Sequence, residues 1–222
     1  MTTSGAAPYL PQDRDLESLR GAAEHCHGCG LFRDATQTVF GYGNSGAPLM
    51  LVGEQPGDRE DLVGLPFVGP AGRLLGRALE DAGVDLGDPG QIYQTNAVKH
   101  FKFTRKSGTR RIHQKPRRSE VVACRPWLLA EMAAVRPRVV VCLGATAAQS
   151  LLGLAFRVSA HRGELLAPPT QVAEAVAPGP PPAIVATVHP SAVLRDRGDR
   201  HDAAYKSFVD DLRVARTASV ST

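Results

Sequence analysis

A chain of 222 residues with 43% apolar side chains is long enough for one sizeable core and short for two. It has no run of about eighteen apolar residues, and its opening MTTSGAAPYLPQD lacks the basic-then-apolar order of a signal peptide. The expectation is a cytoplasmic protein without a membrane partner, whose formal charge of +4, from 26 basic and 22 acidic side chains, is too small for general polyanion stickiness.

Apolar residues at helical spacing predict a helix over residues 16–25, followed by the turn Cys26-His27-Gly28-Cys29. A strand over 48–52 opens into a glycine- and proline-rich stretch, 53–72. Next come a helix over 71–81 with Gly83 as its stop, and a strand over 92–96. A helix over 119–135 stopping before Pro137, a strand over 138–143, a helix over 145–152, a strand over 183–188 and a helix over 202–214 complete the series. Residues 167–182 read as a Pro-rich surface loop, and 1–12 and 215–222 as flexible ends of a single domain covering 1–222. Strands alternating with helices predict an α/β fold: a three-layer αβα sandwich around a central, mostly parallel four-stranded sheet.

In such sheets ligands bind beyond the carboxyl ends of the strands. That rule selects Gly53-Glu54-Gln55-Pro56-Gly57 with Asp58 and Phe67, then Asn96, then Gly144, then His189-Pro190-Ser191. Glycines at Gly53 and Gly57 allow a backbone to approach a ligand closely, while Glu54 and Gln55 offer an acid or base and an amide. Phe67 can present a ring face to a base. Asn96 carries a donor and an acceptor, and His189, held extended by the following proline, can donate to an oxygen gaining charge.

Residues 99–118, KHFKFTRKSGTRRIHQKPRR, hold nine Lys or Arg and two His with no acid. Removing these nine leaves 17 basic against 22 acidic residues, a net of −5, so the positive charge is local and suits a phosphate backbone. His113 lies near the middle of this strip. Cys26, Cys29, Cys124 and Cys142 form the entire thiol inventory, and the x₂ spacing of the first pair lets two thiolates reach one centre. Zinc and an iron–sulfur cluster both fit it.

Together these motifs resemble the uracil-DNA glycosylase superfamily, and within it the iron–sulfur, family 4-like group. The run from Phe40 to Gly57 looks like the first motif of that group, Val188-His189-Pro190-Ser191 like the second, and the four cysteines match its ligands in order, which favours a [4Fe–4S] cluster over zinc. Gln55 and the Arg110-Arg111-Ile112-His113 loop resemble the UdgX-type branch, whose members remove uracil and stay covalently attached to DNA through that histidine. Thr109 stands where the branch pattern has lysine.

The resemblance implies a base-flipping enzyme. Phe67 would stack on uracil, Asn96 would read its edge with Gly53 and Asp58 beside it, and His189 would donate to O2. Glu54 would stabilise positive charge at C1′, and His113 would attack C1′ with Glu54 and Gln55 orienting it. Lys99, Lys102, Arg105, Arg110, Arg111 and Ser191 would grip DNA, single strands in preference, and the protein would act as a monomer. Rival readings are a conventional turnover uracil glycosylase of the same fold, a non-catalytic binder of single-stranded or damaged DNA using Phe101 and Phe103, and an iron–sulfur electron carrier.

Overall fold

The computed structural model describes residues 5–105 and 110–220. Its elements in chain order are α1 (Leu16–Glu24), β1 (Tyr42–Gly43), β2 (Leu49–Gly53), α2 (Asp58–Val63), α3 (Pro70–Asp81), β3 (Ile92–Asn96), β4 (Phe103–Arg105), β5 (Arg111–His113) and α4 (Arg118–Val135). They continue with β6 (Val139–Leu143), α5 (Ala145–Leu152), α6 (Val158–His161), β7 (Leu165–Leu166), α7 (Thr170–Ala175), β8 (Ala183–Thr187), α8 (Pro190–Val193) and α9 (Asp199–Val220). No helix among the described residues is long and apolar enough to cross a membrane.

The apolar runs LMLVG and VVVCL are buried along their whole length, as strands covered on both faces must be. β3, β2, β6 and β8 form the expected four-stranded parallel sheet, in that order. Two antiparallel edge strands of two residues each, β1 beside β3 and β7 beside β8, widen it to six. Strands so short carry no alternation that a sequence could display. Gly53 is in register with Asn96, and Leu143 with Thr187, so the parallel strands finish side by side at one edge of the sheet.

Successive side chains on each strand face opposite ways. Met50, Val52, Val140, Cys142, Ile184 and Ala186 pack against α4, α5 and α7, while Leu49, Leu51, Val139, Val141 and Val185 pack against α3 and α9. A third apolar cluster lies on the far side of α4, where Leu19 and Ala23 of α1 meet Trp127 and Cys124.

Three segments are more ordered than expected. The 167–182 stretch contains α7, whose Val172 is fully buried against the sheet layer, so it is not simply a surface loop. The last helix continues to Val220 with Ala215 and Ser219 buried, and near the other end Ala6 is buried with its amide donating to Ala123 O at 2.7 Å. Residues 1–4 and 221–222 lie outside the described residues. The turn-rich stretch after β2 contains the short helix α2, opened by three acids, Asp58, Glu60 and Asp61, that favour a helix N-terminus.

Between the sheet and α4 lies a buried ion pair. Lys99 Nζ donates to Glu131, to Thr95 Oγ1 at 2.6 Å and to the Asn96 carbonyl at 2.7 Å. Glu131 also accepts from the Gly41 amide at 3.0 Å, the Tyr93 hydroxyl at 3.1 Å and the Thr95 hydroxyl at 2.9 Å. Removing one partner leaves the other charge buried and uncompensated. Lys99→Met is therefore expected to lower the free energy of unfolding by about 3–5 kcal/mol in urea titration; a loss under about 1 kcal/mol would show that the network does not hold this face together.

Candidate active site

The aligned strand ends open into a cavity of about 640 Å³ lined by Glu54, Phe67, Asn96, His113, Thr146 and His189, among others. Its floor depends on missing side chains. A Cβ on Gly53 would lie 2.3 Å from Asn96 Oδ1 and 2.9 Å from Phe67 Cζ, so glycine is what lets the amide and the ring meet there. Phe67 itself has φ of +56°, a left-handed backbone unusual for a bulky residue, and such strain persists only where its surroundings enforce it. α3 passes directly beneath: a Cβ on Gly72 would stand 1.7 Å from the Phe67 carbonyl oxygen. Asn96 is 3% exposed, at the last position of β3.

His189 caps the short helix α8. The Ser191 amide donates to its Nδ1 at 3.1 Å, so that nitrogen carries a lone pair and the proton belongs on Nε2. Burial, with the neighbouring His113 imidazole and the Arg195 charge, pulls its pKa down to about 4. His189 is thus a neutral imidazole with an N–H to give, and its Ser191 serves as its brace. Gly144, with φ of +94°, allows the approach, since a Cβ there would lie 3.1 Å from His189 Cβ.

Glu54 lies between two partners. One carboxylate oxygen accepts from the Thr146 hydroxyl on α5, and the other stands 3.6 Å from His113 Nε2, outside hydrogen-bond range but facing it. Thr146 is a site residue that the sequence reading passed over, although it follows the Gly144 turn already selected by strand-end position. His113 ends β5, opposite Phe103 on β4, and its side chain is half exposed beside the cavity. Gln55 reaches His113 through the backbone that carries it. Its amide oxygen accepts from the Lys102 amide at 3.1 Å, and its amino group donates to the Lys102 and Gln114 carbonyls at 3.2 and 3.1 Å. Those bonds grip the chain just before β4 and just after β5, so Gln55 positions the hairpin that carries His113.

The basic strip divides. Lys99 is fully buried in the pair with Glu131 and is no DNA contact. Lys102 is held by Glu120 at 2.7 Å. Arg111 is clamped by Asp58 at 2.6 Å and by buried Asp61 at 2.5 Å, with its guanidinium over the Phe101 and Phe103 rings. Its charge is neutralised internally, so it locks the β4–β5 hairpin onto α2, and Asp58 serves this clamp at the cavity rim. The structure thus corrects the expectation that Lys99, Lys102 and Arg111 grip phosphate: acids distant in sequence reach each of them. Arg105 and Arg110 are exposed. Thr109 lies outside the described residues.

The cysteines also divide. Cys26, Cys29 and Cys124 share the cluster around Trp127, where the Lys99 amide donates to Cys124 Sγ at 3.3 Å and the indole N–H to Cys26 Sγ at 3.2 Å. Cys142 is elsewhere, in mid-β6 between Val52 and Ala186, packed with Ala147 and Ala148. Its burial pushes the thiol up to about 12. Strand alternation turns it into the sheet–α5 core, so the expected four-cysteine set is corrected to three. His100, absent from that set, is buried and directly follows Lys99, whose amide donates to Cys124 Sγ. Thr38 Oγ1 gives its proton to the Ala23 carbonyl at 3.0 Å, so His100 Nε2, 2.9 Å from that oxygen, must be the donor, which leaves Nδ1 with a lone pair. Among the described residues no group of three or more His, Cys, Asp or Glu side chains is gathered closely enough for a single metal ion.

Residues 40–213, which include every strand of the sheet, match the Uracil DNA glycosylase superfamily, and the chain belongs to it. It is 36% identical over 181 residues to the Type-4 uracil-DNA glycosylase of Pyrobaculum aerophilum, covering 82% of this chain and 85% of that relative. The Archaeoglobus fulgidus Type-4 uracil-DNA glycosylase is 38% identical over 173 residues, 76% of this chain and 78% of its own. That of Thermotoga maritima is 32% identical over 208 residues, 91% and 93% of the two chains.

The low pKa of His189 has a stability consequence. Between pH 6.5 and about 4 the unfolded chain binds a proton on this side chain that the folded protein refuses, so stability falls as pH drops through that window. Urea titrations of the parent and of His189→Gln should differ in this range, the parent losing up to about 3 kcal/mol more than the variant. Parallel pH curves for the two proteins would show that His189 is not held neutral.

Proposed function

We propose that this protein is a uracil-DNA glycosylase that captures the abasic sugar it creates through His113. The observation that carries this is the His113 imidazole facing Glu54 at the mouth of a cavity that also holds Phe67, Asn96 and His189. Uracil-containing DNA is the substrate, single strands in preference, because extruding an unpaired base breaks no base pairs. The protein acts on it as a monomer.

The flipped uracil stacks on Phe67, and the Asn96 amide matches its O4 and N3–H edge. As the N-glycosidic bond breaks, its electron pair leaves with the base, and the His189 Nε2–H donates to O2 where that negative charge gathers. Positive charge develops at C1′, close to Glu54, whose carboxylate is fixed by Thr146 and stabilises it. The His113 lone pair then forms the bond to C1′. The resulting imidazolium gives up its remaining N–H proton to solvent, and the departed uracil anion takes one up. Gln55 and the Arg111–Asp58–Asp61 clamp hold the hairpin so that His113 meets C1′ before water does. Arg105 and Arg110 supply phosphate contacts.

A conventional turnover enzyme would share every element except that last bond. Intact mass spectrometry after incubation with a short uracil-containing single strand separates the two. The expected product is protein plus DNA minus uracil, abolished in His113→Ser. Free abasic DNA with unmodified protein would establish turnover, and a mass shift surviving in His113→Ser would overturn the role of His113.

Cys26, Cys29 and Cys124 suit an iron–sulfur cluster: three buried thiols in an apolar setting, two of them receiving N–H donors. Since no three ligating side chains among the described residues are gathered for a single metal ion, ligands spread around several iron atoms suit them better than zinc, which draws each thiolate to about 2.3 Å. With Cys142 committed to the sheet core, His100 Nδ1 is the fourth ligand in this reading. Bound there, a cluster supplies a structural cross-link between the segment after α1 and α4. Visible absorbance and iron content should survive in Cys142→Ala, collapse in Cys124→Ala, and shift in His100→Cys. Loss of iron in Cys142→Ala with retention in His100→Ala would restore the four-cysteine set.

A further inference from the structure

Beside the catalytic cavity lies a second of about 650 Å³, formed where the start of α4 faces α5 and the beginning of α7. The two cavities share Lys115 and Thr146 in their linings, so they are neighbours across one wall. Three cations, Lys115, Arg118 and Arg125, border the second cavity, and no acid lines it. Arg125 Nε is buried with no hydrogen-bond partner, the sole such side-chain atom among the described residues. A buried guanidinium N–H is costly to leave unpaired, and a phosphate oxygen is the acceptor that suits it best. Val121, Val122, Leu152 and Leu154 supply apolar walls, with Val122 and Leu154 more than half exposed.

We infer that this cavity receives the DNA strand on one side of the flipped uridine, Arg118 and Arg125 taking a phosphate and the apolar walls a flanking sugar and base. The inference rests on the proposed uracil-DNA activity and adds a direction to it, because this cavity adjoins the catalytic pocket at Lys115 and Thr146, whereas a third, lined by Arg105 and Arg110, meets it at Asp58. Charge favours this occupant. Lys99, Lys102 and Arg111 are spent on internal acids, whereas Lys115, Arg118 and Arg125 make no ion pair among the described residues. A connected row of free cations leading away from the base pocket is the arrangement that a continuing phosphodiester chain requires.

The test uses the full-length protein and fluorescein-labelled single strands carrying 2′-fluoro-2′-deoxyuridine, which binds without being cleaved. One series extends the strand by three nucleotides on the 5′ side alone, the other on the 3′ side alone. In the parent, one extension should tighten binding about ten-fold more than the other. Arg118→Gln combined with Arg125→Gln should remove most of that gain, lower the slope of log Kd against log salt by about 1.4, and leave binding of the opposite extension unchanged. Val122→Asp, which places a carboxylate on the exposed wall without touching the core, should give the same one-sided loss.

Equal weakening of both extensions, or no weakening, overturns the strand subsite. Excision from a short uracil-containing oligonucleotide reads the proposed activity separately. A parent that excises nothing yet shows the one-sided binding refutes the activity and keeps the subsite, whereas intact excision without one-sided binding does the reverse.

Discussion

Lys99 joins the two functional halves of the molecule. Its ammonium, buried against Glu131, reaches back to the Asn96 carbonyl and the Thr95 hydroxyl and so fixes the end of the strand that carries the Asn96 amide. Its own amide donates to Cys124 Sγ on the helix that also supplies Glu131. One residue therefore ties the floor of the base pocket to the cysteine cluster, with α4 as the common strut. A desolvated charge pair is a poor source of net stability but a strict one of geometry, because displacement of either partner leaves a charge without compensation. The Asn96 amide at the cavity floor inherits that strictness.

The same economy governs the hairpin above the pocket. A two-stranded ribbon of three residues per strand has little stability of its own. Here it is fastened at its root by the Gln55 amide and along its face by Arg111, which meets two carboxylates and two aromatic rings. His113 thereby gains a defined place over the cavity while its ring stays half exposed. Charges that look from the sequence like a grip for DNA are used to build the platform, and the remaining cations are displaced toward Arg105, Arg110 and the start of α4.

Hydrogen-bond accounting assigns protons to the two informative imidazoles. The Ser191 amide occupies His189 Nδ1 and directs the Nε2 proton outward, while the Thr38 hydroxyl, its proton committed to Ala23, takes the His100 Nε2 proton and leaves Nδ1 bare. One histidine is left with an Nε2 proton to give and the other with a free Nδ1 lone pair. Both assignments follow from neighbours that contribute a single proton each.

Much was legible from the chain alone. Strand-like runs at 48–52, 92–96, 138–143 and 183–188 predicted the four parallel strands, and the strand-end rule then collected Gly53, Glu54, Asn96, Gly144 and His189, because a parallel sheet must present its carboxyl ends together. Local pattern could not reveal the two-residue edge strands, the short α7 within a Pro-rich stretch, or the continuation of α9 to Val220, since pairing with distant strands maintains the first and burial against distant elements the other two. Residue type also failed to separate an exposed arginine from a clamped one, or a thiol beside Trp127 from one in the sheet core. Arg111 and Arg110 are adjacent in sequence, yet only Arg111 meets Asp58 and Asp61; Cys124 and Cys142 are both buried, yet strand alternation turns Cys142 into the sheet core. Covalent order specifies which groups are present, and tertiary packing decides which are already neutralised by one another and which remain free for a ligand.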